Sequence, residues 1–237
     1  MSRIYQYTRG MSNGFFVIGD KTIAVDTGCI EGDDAFLSAC EEAQIKPADV
    51  ELIVITHGHP DHFFNLPAMK RLTNAPIMCH RLAAEAINIG RDLDIQGRTE
   101  IGREIVRKLA EEGNLIGEPP AVKVDIELDA DTSLADWGIQ GRLLHTPGHS
   151  AGCMCLVLDS GEAIVGDMIV STPPDGEPGL AFLSYAGTDG SPELYRSIRR
   201  LLENGNLFYS GHGGPYSKEL VESLLAEDEE RYVNGTL

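Results

Sequence analysis

The sequence is short of positive charge. Lys and Arg number 19 against 37 Asp and Glu, for a formal net charge of −18. A surface this acidic repels phosphate backbones and argues against nucleic acid as partner or substrate. Long apolar runs are missing too. No stretch approaches the roughly 20 apolar residues that span a bilayer. The opening Met1-Ser2-Arg3-Ile4-Tyr5-Gln6-Tyr7 lacks the apolar run of a signal peptide. The expectation is a cytoplasmic protein with no membrane partner; oligomeric state is not legible. Cysteine is sparse. Cys29, Cys40, Cys79, Cys153 and Cys155 are odd in number in a chain of 237 residues, which excludes a disulfide framework. Cys153 and Cys155 fall on one side of a strand and read as packed thiols rather than ligands. There is no internal repeat, low-complexity tract or long linker. With 42% hydrophobic residues, the length suits one domain over 1–237 with a sizeable buried core.

Apolar periodicity predicts strands over Gly14–Ile18 and Thr22–Asp26, flanking the hairpin-like Gly19-Asp20-Lys21. A helix is expected from Asp33 to Ile45, where Phe36, Leu37 and Cys40 keep helical spacing and Pro47 ends it. Glu51–Ile55 reads as a short buried strand. Then come a helix over Phe63–Leu72, a strand over Pro76–Cys79, and a mostly helical segment from Arg81 to about Gly113. That segment is a candidate cap, at 81–120, over a site. Further strands are expected over Val122–Ile126, Ile139–Leu144 and Leu207–Tyr209, with a hairpin of Cys153–Leu158 and Glu162–Val165. Ser191-Pro192-Glu193 opens a helix with Ser as its cap, and Lys218–Arg231 forms a last helix. Strands come first and helices after in each half. Two stacked sheets with helices on both outer faces fit this order, although periodicity alone does not choose them over other mixed α/β folds.

Histidine carries most of the information. Three of the seven, His57, His59 and His62, fall with Asp61 inside Thr56-His57-Gly58-His59-Pro60-Asp61-His62. Gly58 and Pro60 resist regular structure, so this is a loop at the end of the Glu51–Ile55 strand, able to turn its side chains to one focus. Neutral imidazole and carboxylate are natural ligands of zinc and other first-row metals. Three further strands each deliver a ligand-type residue into a glycine-containing loop: His149 in Thr146-Pro147-Gly148-His149, Asp167 after Gly166, and His212 in Gly211-His212-Gly213. Together they supply what a dinuclear site needs.

The T-H-x-H-x-D-H run, the later T-P-G-H, the G-D after an aliphatic strand, the late G-H and the early Val25-Asp26-Thr27-Gly28 resemble the metallo-β-lactamase superfamily, in order across residues 25–213. The resemblance implies an α/β fold, an αββα sandwich of two mixed sheets flanked by helices, with metals at one sheet edge. It implies that His57, His59 and His149 bind a first metal, that Asp61, His62 and His212 bind a second, and that Asp167 bridges them. Asp26 matches an early aspartate that orients a ligand histidine from behind; its other reading is a plain turn-forming Asp-Thr-Gly. His80, where the family often has a histidine near the pocket, is a candidate substrate contact, while His145 reads as structural.

Two metals about 3.5–4 Å apart share a water and depress its pKa, so the expected nucleophile is a metal-bridging hydroxide. Asp61 is the expected catalytic residue, orienting it or shuttling its proton. Tyr185, Tyr209 and Tyr216 are candidate oxyanion donors by location. Gly148-His149-Ser150-Ala151-Gly152 mimics a nucleophile elbow, but no helix-forming sequence follows it. The motifs are most similar to the glyoxalase II-like and lactonase-like branches, implying a small ester, thioester or lactone as substrate. The acidic tail Glu227-Asp228-Glu229-Glu230 does not suit glutathione, and aspartate at 167 departs from the cysteine of many true β-lactamases of the family. The implied cofactors are two divalent ions, zinc first, with iron or manganese as alternatives. A mononuclear iron dioxygenase of persulfides and a non-catalytic ligand sensor with this fold remain the competing readings. Specificity is expected from Arg81–Pro120 and Thr172–Gly190.

Overall fold

The computed structural model describes the chain except for residues 92–94, 114–116, 173–175 and 186–189, which fall within the two segments expected to set specificity. The first half runs β1 (Arg3–Arg9), β2 (Ser12–Ile18), β3 (Thr22–Val25), α1 (Asp33–Ala43), β4 (Val50–Val54), α2 (Pro60–Phe63), α3 (Leu66–Thr73), β5 (Ile77–His80), α4 (Arg81–Ile89), β6 (Ile95–Gly97), α5 (Glu100–Glu112) and β7 (Ile126–Leu128). The second half runs β8 (Thr132–Ser133), β9 (Gly141–His145), β10 (Met154–Leu158), β11 (Glu162–Ile164), β12 (Ile169–Thr172), β13 (Glu177–Leu180), β14 (Leu183–Tyr185), α6 (Ser191–Asn204), β15 (Leu207–Tyr209), β16 (Tyr216–Ser217) and α7 (Lys218–Val233).

Among the described residues, β1-β2-β3-β4-β5-β7 form one six-stranded sheet and β16-β15-β11-β10-β9-β8 a second. Both are mixed: β3, β4, β5 and β7 run parallel, as do β11 and β15, and the other neighbours are antiparallel. The strand pleat explains the layering, because alternate side chains face opposite ways. Phe15, Val17, Ile23, Val25, Leu52 and Val54 of the first sheet meet Leu143, Met154, Leu156, Leu158 and Ile164 of the second in one buried cluster. The intervening Phe16, Ala24, Ile53 and Ile55 turn outward and pack with Phe36 of α1, Met69 of α3 and Ala83 and Ile87 of α4. On the other outer face Cys155, Val157 and Ala163 pack with Leu194, Ile198 and Leu201 of α6 and Val221 and Leu225 of α7. This is the αββα sandwich.

Several expectations shift. The helix expected over Phe63–Leu72 is broken into α2 and α3 near Asn65, whose side chain bonds both the N–H and the carbonyl of Gly32. The strand expected over Val122–Ile126 begins only at Ile126. The cap of α6 is Gly190, with Ser191 already its first residue. The segment from Arg81 to about Gly113 is mostly helical as expected, in α4 and α5, but between them β6 pairs with β14, and Arg98 just after β6 is buried. Arg98 donates to both carboxylate oxygens of Asp228 on α7, at 2.6 and 2.9 Å, and to the Ala181 carbonyl at 2.6 Å. Tyr195 of α6 donates to the same carboxylate at 2.6 Å. No helix among the described residues is long and apolar enough to cross a membrane.

Candidate metal centre

Parallel strands end together, and four of the loops that leave such ends converge on one edge of the sandwich. The loop after β4 carries His57 and His59, and α2, which begins at Pro60 where the sequence suggested a continuous loop, carries Asp61 and His62; the loop after β9 carries His149, the turn after β11 Asp167, and the loop after β15 His212. Ligand-type atoms of His57, His59, His149 and Asp167 lie within 4.8 Å of one another, and those of Asp61, His62 and His212 form a second such group. All seven sequence-predicted residues therefore meet. Asp167 stands between the groups: Oδ1 lies 3.2 Å from His62 Nε2, while Oδ2 lies 3.3 Å from His212 Nε2, 3.8 Å from His149 Nε2 and 4.0 Å from His57 Nε2.

The donor set fits a cation. His57 Nε2, His59 Nδ1 and His149 Nε2 form a triangle with edges of 3.2, 3.2 and 2.9 Å. A ring nitrogen either carries a proton and donates or carries a lone pair and accepts, never both, so three mutual contacts cannot all be hydrogen bonds. Three lone pairs pointed at a shared centre account for the triangle: ligands bound tetrahedrally at 2.0–2.1 Å stand ~3.3 Å apart. His62 Nε2 of the second group and Asp167 Oδ1 between the groups are buried and meet no hydrogen-bond partner among the described residues. His212 Nε2 is 3.0 Å from Asp61 Oδ2, and its Nδ1 donates to the Met11 carbonyl at 2.8 Å, which leaves Nε2 free to ligate.

The electrostatics of the two groups differ. Burial, reinforced by the neighbouring imidazoles, pushes His57 well below its ordinary range and His149 down to about 3. Burial opposes charge on His62 and His212 as well, but Asp167 and Asp61 outweigh it, holding His62 well above its ordinary range and His212 at about 11. Those imidazoles in turn bring Asp61 down to about 2 against the effect of its own burial. Without a cation His57 and His149 are held neutral, while Asp61, His62, Asp167 and His212 form a web of ion pairs whose protons stand where a cation would. Both arrangements present deprotonated ligands readily once those protons leave.

Two glycines make the approach possible. A Cβ on Gly211 would come 2.3 Å from Asp167 Oδ1 and 2.5 Å from the His62 ring. Gly166 sits at a positive φ of 51°, and its Cβ would come 2.9 Å from the Thr56 hydroxyl.

Other candidates lie elsewhere. The His80 ring stacks on His145, centroids 4.0 Å apart and 7° from parallel, and caps α4 by accepting from the Leu82 N–H. Among the described residues, no hydrogen bond joins it to the seven. Tyr185 donates to Glu193, and Tyr209 to Glu162. Tyr216 donates to the His212 carbonyl at 3.3 Å and shares a hydrogen bond with Ser171, bracing a ligand loop. Burial pushes the Cys153 thiol up to about 12, and it packs against Ser150 rather than joining either group.

Sequence reasoning missed the turn between β1 and β2. Besides Met11 in that turn, Ser12 at the start of β2 donates its hydroxyl to the Asp61 carbonyl at 2.6 Å. Asn13 donates from its side chain to the Ser210 and Gly213 carbonyls at 2.9 and 3.1 Å and from its N–H to Gly211 at 2.8 Å. The strand expected over Gly14–Ile18 left Asn13 outside it, and nothing local pointed to a partner some 200 residues away.

The sequence matches the metallo-beta-lactamase superfamily over residues 7–213, and the chain belongs to that superfamily. It is 30% identical over 169 residues to a probable metallo-hydrolase of Burkholderia pseudomallei (strain 1710b), covering 65% of this chain and 48% of that protein. A metallo-beta-lactamase family protein from Thermus thermophilus shares its fold at a TM-score of 0.68 and 21% identity, over 97% of this chain and 80% of that one. A protein crystallised in a di-iron-bound form does so at 0.64 and 20%, over 93% and 98%. The chain spans between 48% and 63% of the length of the curated relatives it matches.

Proposed function

We propose that the protein is a dinuclear metal-dependent hydrolase of a small ester, thioester or lactone. The observation that carries this reading is the pair of ligand groups sharing Asp167: the second group, Asp61, His62 and His212, is whole, whereas a mononuclear iron oxygenase has no use for it. His57, His59 and His149 would hold one ion and Asp61, His62 and His212 the other, with Asp167 between. Bound there, two divalent ions supply an acidified water and polarise the carbonyl under attack.

The chain's own residues account for the rest. Asp61 has one oxygen on His212 at 3.0 Å and is partly open to solvent, which supports a role in orienting an attacking water and accepting its proton. The Met11 carbonyl and Asp26 hold His212 and His62 with Nε2 inward. The acidic exterior disfavours polyanionic substrates. Zinc suits the imidazole-rich first group; the di-iron-bound relative supports iron as the alternative.

Elemental analysis of protein purified without chelators is the test. About two ions per chain, with turnover of generic thioesters or lactones that drops at least 100-fold in Asp61→Asn, supports the reading. One iron per chain with oxygen consumption on a persulfide would overturn it in favour of the dioxygenase. Two ions without turnover of any such substrate would favour the ligand sensor.

A further inference from the structure

Asp26 is fully buried and adopts a left-handed backbone conformation, φ 55°, that a residue other than glycine rarely takes. Strain of this kind persists only where surrounding contacts enforce it, and it points to a purpose. The side chain shows which contacts. Oδ1 accepts from the Thr56 N–H at 2.8 Å. Oδ2 accepts twice: from His62 Nδ1 at 2.9 Å and from the Thr56 hydroxyl at 2.8 Å. The Thr56 oxygen lies in turn 3.0 Å from His57 Nδ1.

A hydroxyl has one proton to give and lone pairs to receive. With its proton committed to the Asp26 carboxylate, Thr56 can only accept from His57. His57 must then carry its proton on Nδ1 and present Nε2 to the first ligand group. His62, donating from Nδ1 to the same carboxylate oxygen, must likewise present Nε2 to the second. The two imidazoles belong to different metal groups.

We propose that Thr56 is a positioning residue: its hydroxyl passes the hold of Asp26 on to His57, so that one buried oxygen, Asp26 Oδ2, fixes the tautomer of one ligand in each metal group. Asp26 thereby acts on both ions, and Thr56 on the first alone. The crowding around the hydroxyl fits this role, since Gly166 leaves no side chain that could displace it. The inference rests on the two-ion reading of the site.

The test is cobalt(II) titration of the metal-free full-length chain, followed by equilibrium dialysis and by the visible spectrum of the bound ion. Thr56→Val keeps the side-chain shape but cannot accept from His57; Thr56→Ser restores the acceptor. To separate the groups, Thr56→Val is measured with His212→Ala, which leaves the first group, and with His149→Ala, which leaves the second. Losing the orienting partner of a ligand histidine weakens metal binding by about 10–100-fold. That loss is expected for Thr56→Val on the His212→Ala background, with a shifted cobalt spectrum, and not on the His149→Ala background. Thr56→Ser should recover it, and Asp26→Asn should weaken both groups. A proton spectrum should also lose one slowly exchanging ring N–H resonance in Thr56→Val. Unchanged binding in Thr56→Val, or equal losses on both backgrounds, would overturn the relay while leaving the two-ion reading intact. A wild type that takes up fewer than two cobalt ions overturns that reading, and the relay with it.

Discussion

His80 illustrates how far a single residue's surroundings set its chemistry. It is buried, its Nε2 meets no hydrogen-bond partner among the described residues, and its ring lies on His145. Burial, then His145 and Arg81, lower its pKa to about 4, against a smaller opposing pull from Asp129. The folded state therefore refuses a proton that the unfolded chain accepts below 6.5. Stability is lost as pH falls from 6.5 towards 4, and no further loss comes from this group below that. The shift corresponds to at most about 3 kcal/mol. Wild type should thus lose more stability between about pH 7 and about pH 4.5 than His80→Gln, as read by urea midpoints at each pH; equal losses would show that the proton is taken up elsewhere. The seven ligand-type residues were legible because each sits beside glycine or proline, or one residue from it, at the end of an apolar run. Thr56, Met11 and Asn13 were not, because what they do depends on partners remote in sequence.

Elements were legible where they obey a period, and less so where pairing alone defines them. The pleat of β2, β4 and β10 was plain in their apolar residues, and the core sits where it predicts. By contrast β6, β8, β14 and β16 have two or three residues each, too few to show a period, and form because a neighbour supplies the ladder. Arg98 stands at such a place. It reads as an ordinary surface arginine, yet its side chain is wholly buried, tying β6 to α7 through Asp228. Removing one partner of a buried ion pair typically costs about 3–5 kcal/mol, because the other charge is stranded. Arg98→Ala should lower the unfolding free energy by that order, while Arg98→Met with Asp228→Leu should restore most of it. A single-variant loss below about 1 kcal/mol would mean that solvent reaches the pair.

At the scale of the molecule, three separate apolar clusters among the described residues hold the sandwich together, and none includes one of the seven ligand-type side chains. Chelation should therefore leave the fold standing. Near-ultraviolet circular dichroism of the metal-free protein should keep its native signal, with a melting temperature lowered by roughly 16–32 °C, as expected if two ions, each at a thousandfold excess over its Kd, contribute about 4 kcal/mol apiece. Loss of cooperative unfolding on chelation would show instead that the ions organise the core. The net charge of −18 makes a separate prediction about encounter. For a pair of otherwise matched esters, kcat/KM should rise with added salt for the anionic one and fall for the cationic one, since salt screens both repulsion and attraction.

The turn that seats His212 also carries a timetable. Asn13 leaves the ribosome close to 200 residues ahead of Ser210, Gly211 and Gly213, whose carbonyls it holds. At 5–20 residues per second that gap is roughly 10–40 s. Throughout it the hairpin has no seat, and Asp61 and His62 lack their third companion. The growing chain thus carries half-built chelating loops before it can close them, and the group of Asp61, His62 and His212 comes together only once His212 has been made.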